Sequence, residues 1–405
     1  MKKLLSVFTI LTLLIGMTAC AKAGDSSDAT ENYPSLYSLT ENYGFKSGAV
    51  INYGNLSDNQ LLELFKHHFD SLTAANEMKA YSLLDQKASA AATDGMPRMN
   101  FTQADAIVSF AAENGIKIRG HVLVWDAYMT DWFFREGYLP SGSYADAETL
   151  RARLKSYIEQ VITHFEQNFP GVVYCWDVVN EAVADDASER VPNDPRHLRA
   201  KRSGSDNIFY KLMGADYVET AFLYARDTVD ALGADIKLFY NDYNAFYPEK
   251  RAAILKLAES INSFDEGRKL CDGIGMQGYI GGYGTQNGCL DAQLISYIKD
   301  AIKQYSGNGY EVQLTEMAVR TYQYDDATAQ KHAQYYADLY NVFKTANSGD
   351  SKPLTAVCIW GFLDCNSLPS SHYSFKLNSP YCGLFTEDYA VKPSFKAVIK
   401  ELEAK

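Results

Sequence analysis

Two glutamates stand at the ends of apolar runs and are the residues of this sequence best suited to chemistry. Glu181 closes the run WDVVNE at residues 176–181, and Glu316 closes VQLTE at residues 312–316. Each run is rich in Val, Leu or aromatic residues, a composition typical of a buried strand. An acid at the end of such a strand has little structural use, so the sequence predicts that both glutamates belong to a site.

The chemistry that suits such a pair is cleavage of a glycosidic bond. That reaction uses one carboxylic acid to protonate the leaving oxygen and one carboxylate at the anomeric carbon. Glu181 and Glu316 supply the two groups. On opposite sides of a small barrel, their carboxyl groups would lie roughly 5 to 5.5 Å apart, the separation of a retaining mechanism.

Other polar and aromatic residues follow apolar runs in the same way and are expected to converge on one rim. The candidates for binding sugar hydroxyls and ring faces are Asn76, Lys79, His121, Trp125, Asn180, Asn241, Gln277, Tyr279 and Trp360. Two further acids there, Glu77 and Asp242, are predicted to make structural hydrogen bonds. Trp132 and Trp176 are assigned to packing. Taken alone, His121 would more often be a core residue than a ligand-binding one.

The elements that position these residues are eight apolar runs separated by helical segments. They comprise residues 49–51, 71–74, 116–125, 172–179, 236–240, 273–277, 312–315 and 356–360. Several are almost continuously apolar, as in a parallel sheet buried on both faces. Their alternation with helices predicts an α/β fold, a single (β/α)8 TIM barrel. A doubly wound open sheet is the alternative, but no Gly-rich phosphate loop follows the first run.

Local signals support this division into elements. Apolar residues from Leu150 to Phe165 share one helical face, with Ser143 or Asp146 as the cap. Asn114-Gly115 and residues 307–309 are typical helix stops. The polar stretch 185–206 is predicted to be a loop after the fourth strand, on the catalytic face.

Composition limits the class of ligand. The net charge is -12 and no run of Lys or Arg occurs, which argues against a nucleic-acid partner. The 29 Tyr and 20 Phe are assigned mainly to core packing, and secondly to stacking against sugar rings. There is no CxxC pair and the seven His are scattered, so neither a metal site nor a cofactor is expected.

The amino-terminal residues have the layout of an export signal. Lys2 and Lys3 precede an apolar run that ends in MTAC at residues 17–20. This predicts a lipoprotein signal peptide at 1–19, a lipidated Cys20 with a flexible tether at 20–32, and a catalytic barrel at 33–405. The protein would be a monomer held on a bacterial membrane by its lipid, at the outer membrane or cell surface. Ordinary cleavage after Ala23 is the alternative.

The other cysteines are divided by their surroundings. Cys175 and Cys358 lie in apolar runs and are predicted to be buried thiols. Two further pairs are open possibilities for disulfides that the sequence cannot establish, Cys271 with Cys289 and Cys365 with Cys382.

Eight motifs in order resemble those of glycoside hydrolase family 10, the retaining endo-β-1,4-xylanases. They are TAANEMK (73–79), RGHVLVW (119–125), WDVVNEA (176–182), YNDYN (240–244), GIGMQ (273–277), LTE (314–316), WGF (360–362) and KP (392–393). Any one is weak, but the ordered set is specific. The resemblance implies that Glu181 is the general acid and later the base, that Glu316 is the nucleophile, and that xylan or xylo-oligosaccharides are the substrate.

The resemblance also implies roles for the binding residues. Asn180 would hydrogen-bond the 2-hydroxyl of the sugar beside the scissile bond. Lys79, His121 and Gln277 would hold that sugar or the nucleophile, and Trp125 and Trp360 would be its walls. The charge of Glu316 is expected to keep Glu181 protonated until the glycosyl-enzyme has formed.

Several positions depart from the family pattern. Tyr279 stands in place of a His that bonds the nucleophile and is expected to donate its phenolic proton to Glu316. The other departures are Ala75, Asp126, Tyr128, Ala318 and Leu368. They gather on the glycone side and predict altered binding beyond the sugar at the cleavage point. Three alternatives stay open: another β-glucan as substrate, small aryl xylosides, or a non-catalytic lipid-anchored glycan-binding protein.

Overall fold

Eight parallel strands close into a barrel in this computed structural model, which describes residues 26–280, 290–321, 324–364 and 381–404. The strands are β1 (Lys46–Ile51), β2 (Ser71–Ala74), β3 (Lys117–Gly120), β4 (Val173–Asn180), β5 (Lys237–Asp242), β6 (Gly273–Met276), β7 (Glu311–Val319) and β8 (Leu354–Ile359). Neighbours in sequence are neighbours in the sheet, and β8 pairs with both β7 and β1. The predicted (β/α)8 barrel is confirmed.

Helices alternate with these strands in the described part of the chain. They are Ser26–Glu31, Leu36–Glu41, Asn59–His68, Ala80–Leu83, Gln86–Ala91, Thr102–Glu113, Ala147–Asn168, Ile208–Met213, Tyr217–Leu232, Pro248–Ser263, Ala292–Gly307, Asp326–Ala346 and Pro393–Glu403. Two small additions matter for the site. A hairpin joins Lys201–Arg202 to Ser205–Asp206, and the short strand Tyr279–Ile280 pairs with the end of β7.

Two predicted strands end four or more residues away from the carboxyl end of the observed strand. The run 116–125 was predicted as one strand, but β3 ends at Gly120 because the chain then leaves the regular ladder. Leu123 and Val124 still donate to the carbonyls of Asp177 and Val178, at 3.1 and 2.9 Å. In contrast, β7 runs on to Val319, four residues beyond the predicted end, since the short strand Tyr279–Ile280 gives it a further partner.

The predicted helix ends are confirmed. Asp146 caps the helix Ala147–Asn168 by accepting from the Thr149 N–H at 2.8 Å. Asn114 and Asn308 are the residues at which two other helices end. The glycines that follow them have φ of 69° and 83°, the left-handed conformation of a helix stop.

A buried ion pair crosses the barrel interior below the site. The Arg119 guanidinium on β3 bonds both carboxylate oxygens of Asp177 on β4, and its Nε donates to Gln313 Oε1 on β7 at 2.7 Å. Burial alone would raise the pKa of Asp177, but Arg119 and then His121 hold it below the usual value. The interior therefore fixes an ionised acid that can orient His121 from beneath.

The predicted tether differs from the structure at its carboxyl end. Residues Ser26–Glu31 form a helix, and Ala29 is completely buried because this helix packs beside the helix Asn59–His68. Cys20 and residues 1–25 lie outside the described residues. Within the described part of the chain, no helix has the length and apolar character needed to cross a membrane.

The cysteine predictions are tested in part. Cys175 and Cys358 are buried thiols, as predicted, and burial raises the pKa of each. Cys271 is also buried, and its Sγ donates to the Gly273 carbonyl at 3.4 Å. Cys289 and Cys365 lie outside the described residues, so both pairings stay predictions.

Candidate active site

The two glutamates lie at the carboxyl-end rim of the barrel, with β5 and β6 between their strands. Glu181 follows β4 directly, and Glu316 lies within the extended β7. Their exposed fractions are 7% and 5%. Glu181 has a φ of 57°, uncommon for a residue with a side chain, and its N–H donates to the Asn241 carbonyl at 2.9 Å.

A chain of three amides joins the two carboxyl groups. Gln277 Nε2 donates to Glu181 Oε1 at 3.1 Å and to Asn180 Oδ1 at 3.3 Å. Asn241 Nδ2 donates to Asn180 Oδ1 and to Glu316 Oε1, both at 3.0 Å. Since β4, β5 and β6 carry or lead into these amides, the ladder of adjacent strands sets the position of one carboxyl group relative to the other.

The surroundings of Glu316 suit an ionisable nucleophile. Burial raises the pKa of the Glu316 carboxyl, while His121 and the hydrogen bond from Tyr279 oppose that rise. The Tyr279 phenol donates to Glu316 Oε2 at 2.5 Å, as the sequence predicted. With Asn241 on the other oxygen, two donors hold the carboxylate in place.

Glu181 has a partner that sequence reasoning missed. Arg202, in the hairpin of the loop after β4, donates from Nη1 to Glu181 Oε2 at 2.9 Å. The same guanidinium forms a fork with Asp126, with Nε and Nη2 at 2.9 and 2.7 Å from its two oxygens. Both oxygens of Glu181 therefore accept hydrogen bonds, one from Gln277 and one from Arg202.

Lys79 is buried beside two adjacent aromatic rings of the site. Its ammonium is 5.3 Å from the Trp125 ring centre and 4.7 Å from that of Tyr128, and it donates to Asn76 Oδ1 at 3.1 Å. Burial lowers the pKa of Lys79 to about 8, although Glu316 and Glu181 act in the opposite direction. Cation–π contact therefore helps to hold the Lys79 ammonium beside the two glutamates.

His121 and Trp360 lie together at the base of the cleft. His121 Nδ1 is 2.8 Å from Asp177 Oδ2, so the other ring nitrogen is turned away from the barrel interior. The His121 ring meets those of Trp125 and Trp360 edge to face, with centres 6.0 and 6.1 Å apart. Trp360 also packs with Ala75 and Tyr279. Two of the residues that depart from the family pattern therefore contact the same indole ring.

Two buried donors point to a ligand with hydroxyl groups. Asn180 Nδ2 and Trp125 Nε1 are buried and have no hydrogen-bond partner within the described residues. A buried donor left without a partner costs roughly 1–3 kcal/mol, which a bound hydroxyl would recover. Within the same residues, no group of three or more His, Cys, Asp or Glu is arranged to hold a metal ion.

The residues predicted to be structural have that role. Glu77 accepts from the backbone N–H groups of Tyr53 and Asn76 at 2.7 and 3.0 Å. Asp242 lies beneath the site, where Lys250 pairs with it at 3.0 Å; burial raises its pKa to about 6. Trp176 is fully buried, and Trp132 packs against the core.

A comparison of the sequence with models of known protein families identifies the family that has this order of motifs. Glycosyl hydrolase family 10 matches residues 35–401. The chain belongs to this family. All of the described site residues lie inside the matched range, so the family 10 fold and the candidate site are the same part of the molecule.

Relatives of this family 10 chain include endo-1,4-β-xylanase A of Thermotoga maritima and an endo-1,4-β-xylanase of Geobacillus stearothermophilus. The first is 33% identical over 393 residues, 94% of this chain and 32% of the relative. The second is 30% identical over 377 residues, 90% of this chain and 98% of the relative. The chain thus spans about a third of one relative and nearly all of the other.

The fold of this family 10 chain is also similar to that of a solved structure. It comprises the carbohydrate-binding and family 10 modules of endo-1,4-β-D-xylanase 10B from Clostridium thermocellum, complexed with xylohexaose. The TM-score is 0.76 at 29% identity, over 93% of this chain and 68% of that one.

The structure places every described candidate near the two glutamates but changes some partners. Gln277, expected to hold the sugar or the nucleophile, bonds Glu181 and Asn180 instead. Asn241, for which no particular partner was predicted, bonds Glu316 together with Tyr279. Leu368 lies outside the described residues, so its effect on the glycone side stays a prediction.

Proposed function

We propose that this chain is a retaining endo-1,4-β-xylanase. The observation that carries the proposal is the pair of buried carboxyl groups, Glu181 and Glu316, joined through Gln277, Asn180 and Asn241. Family 10 membership and xylanase relatives over most of the chain support the substrate.

In the first step, Glu316 attacks the anomeric carbon while Glu181 gives its proton to the oxygen that leaves. The bond from carbon to that oxygen breaks, and a glycosyl ester with Glu316 forms. In the second step, Glu181 takes a proton from water, which displaces Glu316 from the same carbon. Two inversions return the original configuration, and both glutamates end in their starting states.

The binding residues divide by the part of the sugar that each can reach. The free amide hydrogens of Asn180 are assigned to the 2-hydroxyl group, and Lys79 and Asn76 to neighbouring hydroxyl groups. Trp125 and Trp360 offer apolar ring faces to the sugar. Tyr279 and Asn241 hold the nucleophile, and His121 opposes the rise that burial causes in the pKa of the Glu316 carboxyl.

Incubation of the purified protein with xylan, followed by chromatography of the products, tests this function. We expect oligosaccharides of mixed length, and the β-anomer first when the reaction is followed by NMR. Glu316→Ala and Glu181→Gln should abolish xylan hydrolysis, while Glu113→Gln, on an exposed helix end, should not. No products above the Glu316→Ala control would refute the proposal.

Assays on the same purified protein distinguish the three alternatives. Higher activity on carboxymethyl-cellulose or on small aryl glycosides than on xylan would indicate a related β-glycanase or xylosidase. A non-catalytic glycan-binding protein would bind xylan equally well as Glu181→Gln and give no turnover. Measurable turnover that depends on Glu181 excludes a non-catalytic glycan-binding protein.

We also propose that the protein is exported and anchored to a bacterial membrane, at the outer membrane or cell surface, through lipid on Cys20. The MTAC sequence at residues 17–20 after an apolar run supports this. Cys20→Ala should move the protein from the membrane to the soluble fraction. Unchanged fractionation would refute the anchor without bearing on catalysis.

We propose further that the enzyme acts as a monomer. The pairing of β8 with β1 closes the barrel, so its described strands offer no long open edge to a second copy. Light scattering at enzyme concentrations used for assays should give the mass of one chain. A stable dimer there would refute this.

A further inference from the structure

Arg202 joins the loops after β3 and β4 to the proton-donating glutamate. Its guanidinium donates from Nε and Nη2 to the two carboxylate oxygens of Asp126. Nη2 also donates to the backbone carbonyl of Glu181 at 3.3 Å. Its Nη1 donates to Glu181 Oε2 at 2.9 Å. A guanidinium fixed by such a fork has little freedom to turn away.

The contact is sheltered from water. The side chains of Arg202, Asp126 and Glu181 are 25%, 6% and 10% exposed, respectively. Charges that are largely buried interact more strongly than exposed ones and are less screened by salt. The contact can therefore influence whether Glu181 carries its proton.

Other charged groups also face Glu181. Lys79, Glu316 and Asp242 each interact electrostatically with the Glu181 carboxyl group. Arg199 contacts only the Glu181 backbone, where its Nε donates to the carbonyl at 3.0 Å. Among these charged groups, Arg202 is the one for which the structure records a hydrogen bond to the Glu181 carboxyl itself.

We propose that Arg202, held by Asp126, is a positioning residue of the reaction that orients the Glu181 carboxyl group and favours its ionised form. The inference rests on the proposed function, in which Glu181 must be protonated for the first step and ionised for the second. Favouring the ionised form aids the removal of a proton from water. It also limits the first step as pH rises.

Both carboxyl oxygens of Glu181 accept hydrogen bonds, one from the Gln277 amide and one from the positively charged guanidinium of Arg202. Donation of a proton to the leaving oxygen requires one of these oxygens to carry hydrogen. Arg202 therefore acts against the first step and in favour of the second.

The test is the pH dependence of kcat/KM on xylohexaose for four variants. Arg202→Met should move the alkaline limb upward by roughly one pH unit or more, since Glu181 keeps its proton to higher pH without the cation. Arg202→Lys should restore part of the shift. Asp126→Asn should move the alkaline limb downward, because it removes a negative charge near Glu181. The Arg202 guanidinium then has Glu181 as its one remaining carboxylate partner in this contact. Lys201→Met, exposed in the same hairpin, should match the parent.

A second substrate separates this role from a merely structural one. An aryl β-xylobioside with a good leaving group needs no proton for the first step, so its kcat/KM should keep its alkaline limb in Arg202→Met. General loosening of the loop would lower both activities at every pH and move neither limb. The opposite shifts expected for the Arg202 and Asp126 variants also exclude loosening.

The outcomes are distinct from failure of the proposed function. An alkaline limb on xylohexaose that is the same in the parent, Arg202→Met and Asp126→Asn would overturn this inference alone. Should Arg202→Met fail to fold, the Arg202→Lys and Asp126→Asn profiles decide it by the same criterion. A parent protein that turns over neither substrate would overturn the proposed function, and this inference with it.

Discussion

Tyr279 donates its phenolic hydrogen to Glu316 Oε2 across 2.5 Å, from a strand of only two residues. That strand pairs with β7 so that Tyr279 lies opposite Ala318, two residues beyond Glu316. The pairing brings the phenol beside the nucleophile, and the small side chain of Ala318 occupies little of the space between the strands. The phenol therefore gives the carboxylate a neutral hydrogen-bond donor at a position where the family pattern has a His.

Replacing Tyr279 by Phe should weaken the nucleophile. A hydrogen bond to a charged group contributes roughly 1.5–3 kcal/mol, so kcat/KM on xylan should fall about 10- to 150-fold. The hydrogen bond also lowers the pKa of Glu316, and its loss should move the acid limb of the pH profile upward. The control is Tyr37→Phe, since Tyr37 is exposed on the helix Leu36–Glu41, away from the site. Unchanged kcat/KM and acid limb would contradict this role.

Removing the Tyr128 ring should weaken substrate binding through Lys79. The ammonium lies 4.7 Å from this ring, a contact that contributes roughly 0.5–2 kcal/mol. We expect Tyr128→Ala to raise KM for xylo-oligosaccharides about 2- to 30-fold, with little change in kcat. Tyr128→Phe keeps the ring and should behave as the parent. Equal KM values for the Ala and Phe variants would show that the ring does not hold Lys79.

Adding one methyl group at Gly275 should disconnect the two carboxyl groups. Gly275 is the ladder partner of Asn241, and a Cβ there would lie 2.4 Å from Asn241 Oδ1. Asn241 would have to move from Glu316, so kcat/KM should fall at least tenfold while overpacking costs roughly 1–3 kcal/mol of stability. Gly307→Ala has open space around it and should change neither quantity. Full activity of Gly275→Ala would contradict the role of the amide chain.

Stability should fall in mild acid because of two buried histidines. Burial lowers the pKa of His68 and of His332 from 6.5 to about 3. The unfolded chain binds protons below pH 6.5 that the folded protein cannot, so stability is complete above that pH and is lost as pH falls towards 3. Between pH 7 and 5 the loss is roughly 2 kcal/mol for each histidine.

Denaturation at pH 7 and pH 5 measures this effect. His332→Gln removes one of the two titrating groups and should show a smaller drop in the free energy of unfolding than the parent. His332 donates from Nε2 to the Val319 carbonyl at 2.9 Å, and an amide can make the same bond. The same drop in both proteins would argue against a neutral buried His332.

The barrel, and the convergence of the two glutamates on one rim, were predictable because strand periodicity and the motifs are local signals. Each residue that follows a strand must reach the same rim, so Glu181, Glu316 and Tyr279 could be placed together from order alone. Glu77 and Asp242 make structural contacts of the kind predicted for them, Glu77 with two backbone N–H groups and Asp242 with a buried ammonium.

The contact of Arg202 could not be predicted in this way. It joins Asp126 to a residue 76 positions later, and it depends on the path of two loops rather than on strand order. The sequence marked Asp126 as a departure and placed residues 185–206 on the catalytic face, but neither signal pairs the two side chains. The end of β3 at Gly120 was missed for a similar reason, since its apolar run continues beyond the regular ladder.

The first described segment meets the barrel on the face opposite the cleft. The carbonyl of Tyr33 accepts from His67 Nε2 at 3.1 Å, where the helix Asn59–His68 ends and leads into the amino end of β2. The Tyr43 phenol likewise bonds the carbonyl of Leu402, in the last helix. If the enzyme is attached through residues before Tyr33, the attachment lies at the face of the barrel opposite the two glutamates. The active-site face then points away from the point of attachment and is accessible to a long polymer.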